Sequence, residues 1–368
     1  MIKAIARYWG RKPPELIRQL LRDDDEVIVD PFGGAGIIVQ EALRAGKKAI
    51  YSEINPYAWL IAHVTMIGAD REEFREAAND VLSKAVDIEP KVKMTALPRD
   101  WLRYSNGHWF LKKRVYDRVS GFFPTENLKR LIAMLRAIDE IEVSINTKLT
   151  LYLAFANTLH LSSYMRRPSG GAWAVPCYWV GPVSQPLDAY EAFRRVTARL
   201  VSALGQPRPV CYNPQCSDDA VLLLKDALSL KYRREWTLIT DPPFGEDIQY
   251  MELSFFYWAW LRTSKLPDIM RNLLGTRVTY SFNKELVINK ARGVGMREYL
   301  ARMRTFLKLT RHMKRKVLVF DGEDEKLLME VRDLVRETWG GHEEHVVTVD
   351  APRRLGAGKG IKYLVIEA

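Results

Sequence analysis

The sequence predicts an α/β protein built on a doubly wound, mostly parallel sheet of seven strands. Three observations support this prediction. A strand, a glycine-rich turn and a helix follow one another at residues 26–45; strands and helices alternate again at 48–67 and after residue 220; and residues 76–209 interrupt the alternation. Strands that alternate with helices are typical of a parallel sheet covered by helices on both faces.

Each predicted strand is a short apolar run rich in β-branched residues. The first two, at 26–30 and 48–53, precede helices at 37–45 and 56–67. Pro56 stands in the first turn of the second helix, where the missing N–H sacrifices no hydrogen bond. Five later strands are predicted at 221–224, 236–240, 316–320, 345–349 and 363–366.

The end of the chain differs from the parallel pattern. The glycine-rich link at 356–360 is too short for a helical crossover, so the last two strands are predicted to form an antiparallel hairpin. A basic helix is predicted at 297–316. Between the two halves, helices are predicted at 126–141, 145–161 and 187–204. We therefore predict a catalytic domain of residues 1–75 and 210–368, with a largely helical inserted domain, 76–209, for substrate recognition.

The composition limits the class of protein. The 368 residues carry a net charge of +11, which favours a polyanionic partner such as nucleic acid, although a basic protein without such a partner is an equal alternative. No apolar run is long enough to span a membrane, and the N-terminus lacks a signal peptide, so we expect a cytoplasmic protein with no membrane partner. The three cysteines are too few for a disulfide framework.

Two signals indicate an adenosine-containing ligand. The run Asp-Pro-Phe-Gly-Gly-Ala-Gly at 30–36 follows the first strand, where glycines let the backbone approach a ligand. Glu53 ends the second strand, the place where doubly wound folds put a carboxylate that binds ribose hydroxyls. A dinucleotide would satisfy both signals equally well.

A third signal indicates the chemistry. Asp241, Pro242, Pro243 and Phe244 stand at the end of a predicted strand. The exocyclic amine of adenine or cytosine is a poor nucleophile because its lone pair is delocalised into the ring. Asp241 and the carbonyl of Pro242 can accept its two hydrogens, the prolines fix that carbonyl's direction, and Phe244 can stack on an extracted base.

These motifs resemble those of the amino-methyltransferases that act on adenine N6 or cytosine N4. The nearest likeness is to the adenine-specific DNA methylase family that often carries a zinc ribbon, on the strength of residues 8–13, 30–36, 53–56, 241–244 and 245–250. The resemblance implies a Rossmann-like methyltransferase fold and S-adenosylmethionine as the cofactor. Its implied cofactor residues are Arg11, Lys12, Pro13, Asp30, Phe32, Gly33, Gly34, Gly36, Glu53, Asn55 and Asp226.

The chain departs from that family in two ways. A zinc ribbon needs four ligands, but only Cys211 and Cys216 are paired in sequence, so we predict no metal site and no obligatory metal. The insertion at 76–209 matches no recognition module, and no residue there distinguishes DNA from RNA, so the family's DNA label does not decide the substrate of this chain.

Candidate substrate residues lie mainly in the insertion. Aromatic and basic residues alternate at 101–118, as expected where bases stack and phosphates bind; the alternative is an amphipathic element with aromatics in the core. A basic stretch at 165–173 is either a substrate loop or an ordinary surface connection. The predicted substrate residues are Trp101, Arg103, Tyr104, Lys112, Lys113, Arg166, Arg167 and, after the catalytic motif, Tyr250.

The hypothesis that accounts for most of these residues is methylation of a base amino group, with structured RNA favoured narrowly over DNA. A nucleic-acid-binding module without catalysis is the alternative from another class, although such a module has no need of Asp30, Glu53 and Asp241 together. A nicotinamide oxidoreductase would leave residues 241–244 without a purpose. The oligomeric state is not predicted.

Overall fold

The computed structural model describes residues 5–6, 8–94, 100–110, 115–168, 178, 180–213, 215, 218–321, 324–349 and 360–368. The chain forms two compact units. Unit 1 consists of Met1–Arg7, His63–Arg208 and Glu252–Val278, and unit 2 of Tyr8–Ala62, Pro209–Met251 and Thr279–Ala368.

The elements follow the predicted alternation. The strands are β1 (Val27–Asp30), β2 (Lys48–Glu53), β3 (Ala220–Leu224), β4 (Thr237–Thr240), β5 (Arg315–Phe320), β6 (Glu343–Val349) and β7 (Ile361–Glu367). The helices are α1 (Pro14–Leu20), α2 (Ile37–Arg44), α3 (Pro56–Ile67), α4 (Arg71–Ile88), α5 (Thr125–Glu140), α6 (Ile145–Leu161), α7 (Ala189–Val201), α8 (Tyr250–Leu261), α9 (Leu266–Leu274), α10 (Met296–Thr310) and α11 (Glu325–Trp339).

Unit 2 contains the seven-stranded sheet, in the order β3-β2-β1-β4-β5-β7-β6. The first five strands in this order run parallel, and β7 is antiparallel to both β5 and β6. The predicted fold class, a mostly parallel sheet with a C-terminal antiparallel hairpin, is confirmed. The link between the hairpin strands, 350–359, lies outside the described residues.

The core of unit 2 lies on the central strands. Val29, Leu238 and Leu318 are fully buried, as expected for parallel strands covered on both faces. The parallel register sets Ile28 beside Thr237 and Thr240 beside Leu318, so β1, β4 and β5 end at the same edge. Loops that follow these strands must therefore meet at that edge.

The predicted helix at 297–316 is wrong at its C-terminal end. The helix, α10, ends at Thr310, and Arg315 and Lys316 belong to β5. The guanidinium of Arg315 bonds to the buried carboxylate of Asp25 at 2.8 Å and to Glu367 at 2.7 Å. These two ion pairs let a basic residue lie within the sheet, a tertiary arrangement that the sequence pattern does not show.

Unit 1 is mainly helical. Its core contains aromatic side chains from several helices: the ring of Trp260 meets Phe123 at 5.5 Å and Phe155 at 5.9 Å between centroids. Glu73 accepts hydrogen bonds from Ser144 and Thr147 at the start of α6. Residues from Glu252 onwards in α8 belong to this unit, so α8 begins in one unit and continues in the other.

Three further observations concern the described residues. None of their helices is both long and apolar enough to cross a membrane. No cluster of three or more His, Cys, Asp or Glu side chains among them is suited to hold a metal ion. Cys211 is disulfide-bonded, which the cysteine count did not predict.

Candidate active site

A cavity in unit 2 opens where β1, β2 and β4 end. It encloses about 890 Å³, counting its open mouth. Of the predicted residues, the cavity is lined by Arg11, Lys12, Asp30, Phe32, Gly33, Gly34, Glu53, Asn55, Asp226, Asp241, Pro243 and Tyr250. Pro13, Gly36, Pro242 and Phe244 do not line it.

The loop after β1 follows closely along the end of β2. The amide of Gly33 donates to the carbonyl of Ser52 at 3.0 Å, and the hydroxyl of Tyr51 donates to the carbonyl of Gly34 at 2.8 Å. A Cβ on Gly33 would lie 2.3 Å from the buried ring of Tyr51. Glycine is therefore required at residue 33 by close packing.

We expect Gly33→Ala to destabilise the protein by about 3 kcal/mol, the upper part of the range for overpacking a rigid core. The measurement is the free energy of unfolding in urea. Gly205→Ala is the matched control, because a Cβ there meets nothing within 4 Å. Equal stability of the two variants would contradict the steric argument.

Glu53 is held in place by backbone amides. Its Oε1 accepts from Ile54 at 2.8 Å and from Asn55 at 3.0 Å, and its Oε2 accepts from Gly34 at 2.9 Å. Burial raises the pKa of this carboxyl, while the three amides oppose that rise. The carboxylate faces the cavity in a fixed orientation and retains lone pairs for hydroxyl donors.

Asp30 links the glycine-rich loop after β1 to the end of β4. Its Oδ1 accepts from the hydroxyl of Thr240 at 2.7 Å and from the amide of Phe32 at 3.3 Å. The side chain is almost wholly buried, and burial raises its pKa to about 7. The ligand-free protein thus holds a carboxylate whose charge is disfavoured at neutral pH.

This raised pKa predicts a pH-dependent stability. A carboxyl with a higher pKa in the folded state contributes stability below its unfolded pKa and loses it as the pH rises through about 7. An asparagine in place of Asp30 would retain the acceptor oxygen without the charge. We therefore expect Asp30→Asn to stabilise the ligand-free protein at pH 8 by on the order of 2 kcal/mol, and by less at pH 4.5.

Urea unfolding at both pH values tests this expectation. Asp333→Asn is the control, since the Asp333 side chain on α11 is 71% exposed and pairs with the exposed Arg336. A destabilisation by Asp30→Asn of the same size at both pH values would show that the charge of Asp30 does not oppose folding.

Asp241 follows β4 and faces the same cavity. Its Oδ2 accepts from the ammonium of Lys12 at 2.5 Å. Burial raises the pKa of Asp241 to about 6; Lys12 opposes that rise, and the nearby carboxylate of Asp321 adds to it. Below that pH the carboxyl becomes a donor, so a reaction that needs an acceptor here requires a higher pH.

The backbone of residues 241–244 is supported from α10. The hydroxyl of Tyr299 donates to the carbonyl of Pro243 at 2.9 Å. Pro242 is buried, and the ring of Phe244 packs on Phe320 at 5.5 Å as part of the core cluster of unit 2. Phe244 is thus half-buried and packs against the core cluster rather than on the cavity wall.

Arg11 brings a positive charge to the cavity. The two prolines at 13 and 14 precede and begin α1, so Arg11 and Lys12 belong to an extended segment before the helix. The Nε of Arg11 is buried without a hydrogen-bond partner among the described residues, and burial lowers the pKa of the group to about 10. A buried guanidinium without a carboxylate partner favours an anionic ligand.

Aromatic rings form one wall of the cavity. Tyr8 and Tyr250 stack with their centroids 5.8 Å apart and their planes at 22°, and the ring of Trp9 lies 5.7 Å from Tyr8. A Cβ on Gly10 would meet the hydroxyl of Tyr250 at 2.4 Å, so glycine is needed here for the close approach. This wall is suited to a flat ring.

The predicted substrate residues, apart from Tyr250, lie in unit 1. The side chain of Trp101 is exposed, with the guanidinium of Arg118 at 3.9 Å and that of Arg103 at 4.9 Å from its ring centre. Tyr104 is buried and donates a hydrogen bond to Glu252. Arg166 donates to the carbonyl of Gln185, and Arg167 is half-buried. Lys112 and Lys113 lie outside the described residues.

The sequence prediction missed Asp321. This residue directly follows β5, and its Oδ1 accepts from the ammonium of Lys12 at 3.2 Å. Its position was available from the sequence, because the carboxyl end of the predicted strand at 316–320 had to meet the ends of the other parallel strands. Glu285, Tyr8 and Trp9 line the cavity and were also not predicted as site residues.

The fold and cavity together define a class: an α/β protein with a mostly parallel seven-stranded sheet, consistent with a Rossmann-like methyltransferase fold. The chain is similar to the Type II methyltransferase M.MjaII of Methanocaldococcus jannaschii, at 27% identity over 90 residues. The matched stretch spans 24% of this chain and only 17% of that protein. No protein-family model matches the chain.

Proposed function

We propose that this protein transfers a methyl group from S-adenosylmethionine to the exocyclic amino group of a nucleic-acid base. The observation that carries the proposal is that Asp241 of the Asp-Pro-Pro-Phe motif shares one cavity with Glu53 and Arg11. A carboxylate suited to an amine thus lies in the same space as groups suited to an adenosine cofactor. The similarity to a methyltransferase supports methyl transfer in general.

The residues present fit the cofactor. Glu53 is oriented for ribose hydroxyls, and the unpaired guanidinium of Arg11 suits the methionyl carboxylate. Asp226, whose Oδ1 accepts from the amide of Leu228 at 2.9 Å, stands on the cavity wall where we place the adenine. When bound, S-adenosylmethionine supplies an electrophilic methyl group on a sulfonium.

The chain's own residues act on the amine. The Asp241 carboxylate accepts one amine hydrogen; the carbonyl of Pro242, the second acceptor expected from the sequence, belongs to a buried residue that does not line the cavity. The interaction with Asp241 draws the nitrogen lone pair out of conjugation with the ring. As the nitrogen gains its methyl group it loses a proton, which the Asp241 carboxylate accepts; its pKa of about 6 suits it to hold that proton briefly.

The aromatic wall receives the base in this proposal. Phe244 was the residue expected to stack, but its ring packs on Phe320 within unit 2. Tyr250 lines the cavity and stacks on Tyr8, so Tyr250 is the better candidate for contact with a base extracted from its helix.

We assign recognition of the polymer to the predicted inserted domain, residues 76–209. Its described part carries Trp101 exposed between two guanidiniums, Arg103 and Arg118. A ring flanked by cations can stack on an unpaired base while the cations meet phosphates. The net charge of +11 supports a polyanionic substrate. Structured RNA such as ribosomal or transfer RNA is the substrate we propose.

A DNA amino-methyltransferase acting on adenine N6 or cytosine N4 is the second candidate. The similarity to a Type II methyltransferase favours it.

The test is transfer of labelled methyl from S-adenosylmethionine to purified total RNA and to genomic DNA, followed by mass spectrometry of the nucleosides. We expect N6-methyladenosine or N4-methylcytidine in RNA. Label in DNA alone would replace the first candidate by the second. No label in either polymer, together with no thermal stabilisation by saturating cofactor, would favour a binding module without catalysis.

A further inference from the structure

We propose that Asp321 is a positioning residue that shares Lys12 with Asp241, so that one carboxylate oxygen of Asp241 stays available to the amine of the base. This inference rests on the proposed function and concerns the same cavity. Asp241 and Asp321 each follow a strand, β4 and β5, and these two strands are parallel neighbours. Their carboxylates therefore meet at one edge of the sheet.

Lys12 joins the two carboxylates. Its ammonium lies 2.5 Å from Oδ2 of Asp241 and 3.2 Å from Oδ1 of Asp321. The side chain of Lys12 is only 5% exposed, whereas that of Asp321 is 46% exposed. A buried ammonium needs compensating acceptors, and here a catalytic carboxylate and a half-exposed one provide them together.

The sharing has a consequence for Asp241. Among the residues that the structure describes, the Lys12 ammonium donates to Oδ2 of Asp241, and no side chain donates to Oδ1. If Lys12 had Asp241 as its sole carboxylate, the ammonium would compete fully with the amine for both oxygens. Because Asp321 also pairs with Lys12, the ammonium interacts less strongly with the Asp241 carboxylate. Lys12 still favours the ionised form of Asp241.

Several groups face Asp241 from the surrounding elements. Lys12 comes from the segment before α1, Asp321 from the end of β5 and Asp30 from the end of β1. Tyr250 begins α8, and Tyr299 lies on α10. Both tyrosines have a raised pKa because they are buried, so they stay neutral near pH 7. The groups that set the charge around Asp241 are thus Lys12, Asp321 and Asp30.

Asp321→Asn tests the inference through two readouts. The first is the titration of the Asp241 carboxyl in the ligand-free protein, followed by carbon-13 NMR and assigned with Asp241→Asn. Because the negative charge of Asp321 raises the pKa of Asp241, we expect Asp321→Asn to lower it by about one unit. Lys12→Gln should move it in the opposite direction.

The second readout is single-turnover methyl transfer against pH. Asp321→Asn should move the acid limb of the pH–rate profile to lower pH. It should also lower the plateau rate about tenfold, the factor that corresponds to the free energy of one ordinary hydrogen bond. Asp321→Glu should restore the position of the acid limb, since it keeps the charge. Asp333→Asn, which removes an exposed carboxylate on α11, is the control and should leave both features unchanged.

The outcomes separate two failures. If Asp321→Asn matches the wild type in both the Asp241 titration and the pH–rate profile, the role proposed for Asp321 is overturned. The proposed function would then remain intact. Absence of methyl transfer by the wild type, with the NMR shift present, would overturn the proposed function but keep the electrostatic coupling. If Asp321→Asn does not fold, Asp321→Ser removes the same charge, and the Asp241 titration in that variant reports the sign of the coupling by NMR.

Discussion

Replacement of Asp241 by alanine should lower single-turnover methyl transfer about thousandfold while leaving cofactor binding in place. In the proposed reaction, the carboxylate supplies both the acceptor that draws the amine hydrogen out of the ring plane and the base that takes the proton. Each contribution is worth on the order of 10², and the two combine less than additively because one group makes both. In the proposed site, Glu53 and Arg11 hold the cofactor, and the change leaves both untouched. Thermal stabilisation by saturating S-adenosylmethionine checks that part of the expectation.

Asp241→Asn is the matched variant. Asparagine keeps an acceptor oxygen but cannot accept the proton or pair with Lys12 as an anion, so its rate should lie between those of the wild type and the alanine variant. In the wild type, the rate should rise with pH through about 6 and then level off, because the acceptor is the ionised form and burial raises the pKa of Asp241 to about 6. Undiminished transfer by Asp241→Ala would refute the proposed chemistry.

Replacement of Arg11 by methionine should move stability and cofactor affinity in opposite directions. The guanidinium is buried without a carboxylate partner in the described residues, so an apolar side chain of similar length should raise the melting temperature of the ligand-free protein. The same change removes the partner we assign to the methionyl carboxylate. A charge-assisted hydrogen bond of roughly 2 kcal/mol corresponds to a loss of about thirtyfold in cofactor affinity.

Thermal unfolding and isothermal titration with S-adenosylmethionine measure the two effects. Arg297→Met is the control, because the side chain of Arg297 is 93% exposed; it should change neither quantity. If Arg11→Met binds the cofactor as tightly as the wild type, Arg11 does not contact the carboxylate. The absence of stabilisation in the ligand-free variant would show that the native guanidinium is adequately solvated.

Much of the fold follows from local patterns. The apolar runs, the glycines after β1 and the proline at the start of α3 mark where strands end and helices begin, and these features depend on residues close in sequence. Once the strands are taken as parallel, their carboxyl ends must meet. Asp30, Glu53 and Asp241 could therefore be predicted to share one site, and the structure brings them to one cavity.

The aromatic and basic residues of the site were less predictable. Phe244 and Tyr104 carry the same kind of side chain as Tyr250, yet both pack inside their own units, whereas Tyr250 lines the cavity. Composition and spacing do not separate these cases, because burial of an aromatic ring depends on what the remaining chain places against it.

The sequence by itself determined the class of fold, the order of its elements and the motif at which we place the chemistry. Only the tertiary structure decided that Lys12 lies between Asp241 and Asp321, since these partners are separated by 229 and 309 residues. It also decided that Arg11 lines the cavity with its Nε lacking a hydrogen-bond partner among the described residues. Both results depend on which strands and loops become neighbours, and that adjacency is fixed by packing across the whole sheet rather than by any local pattern.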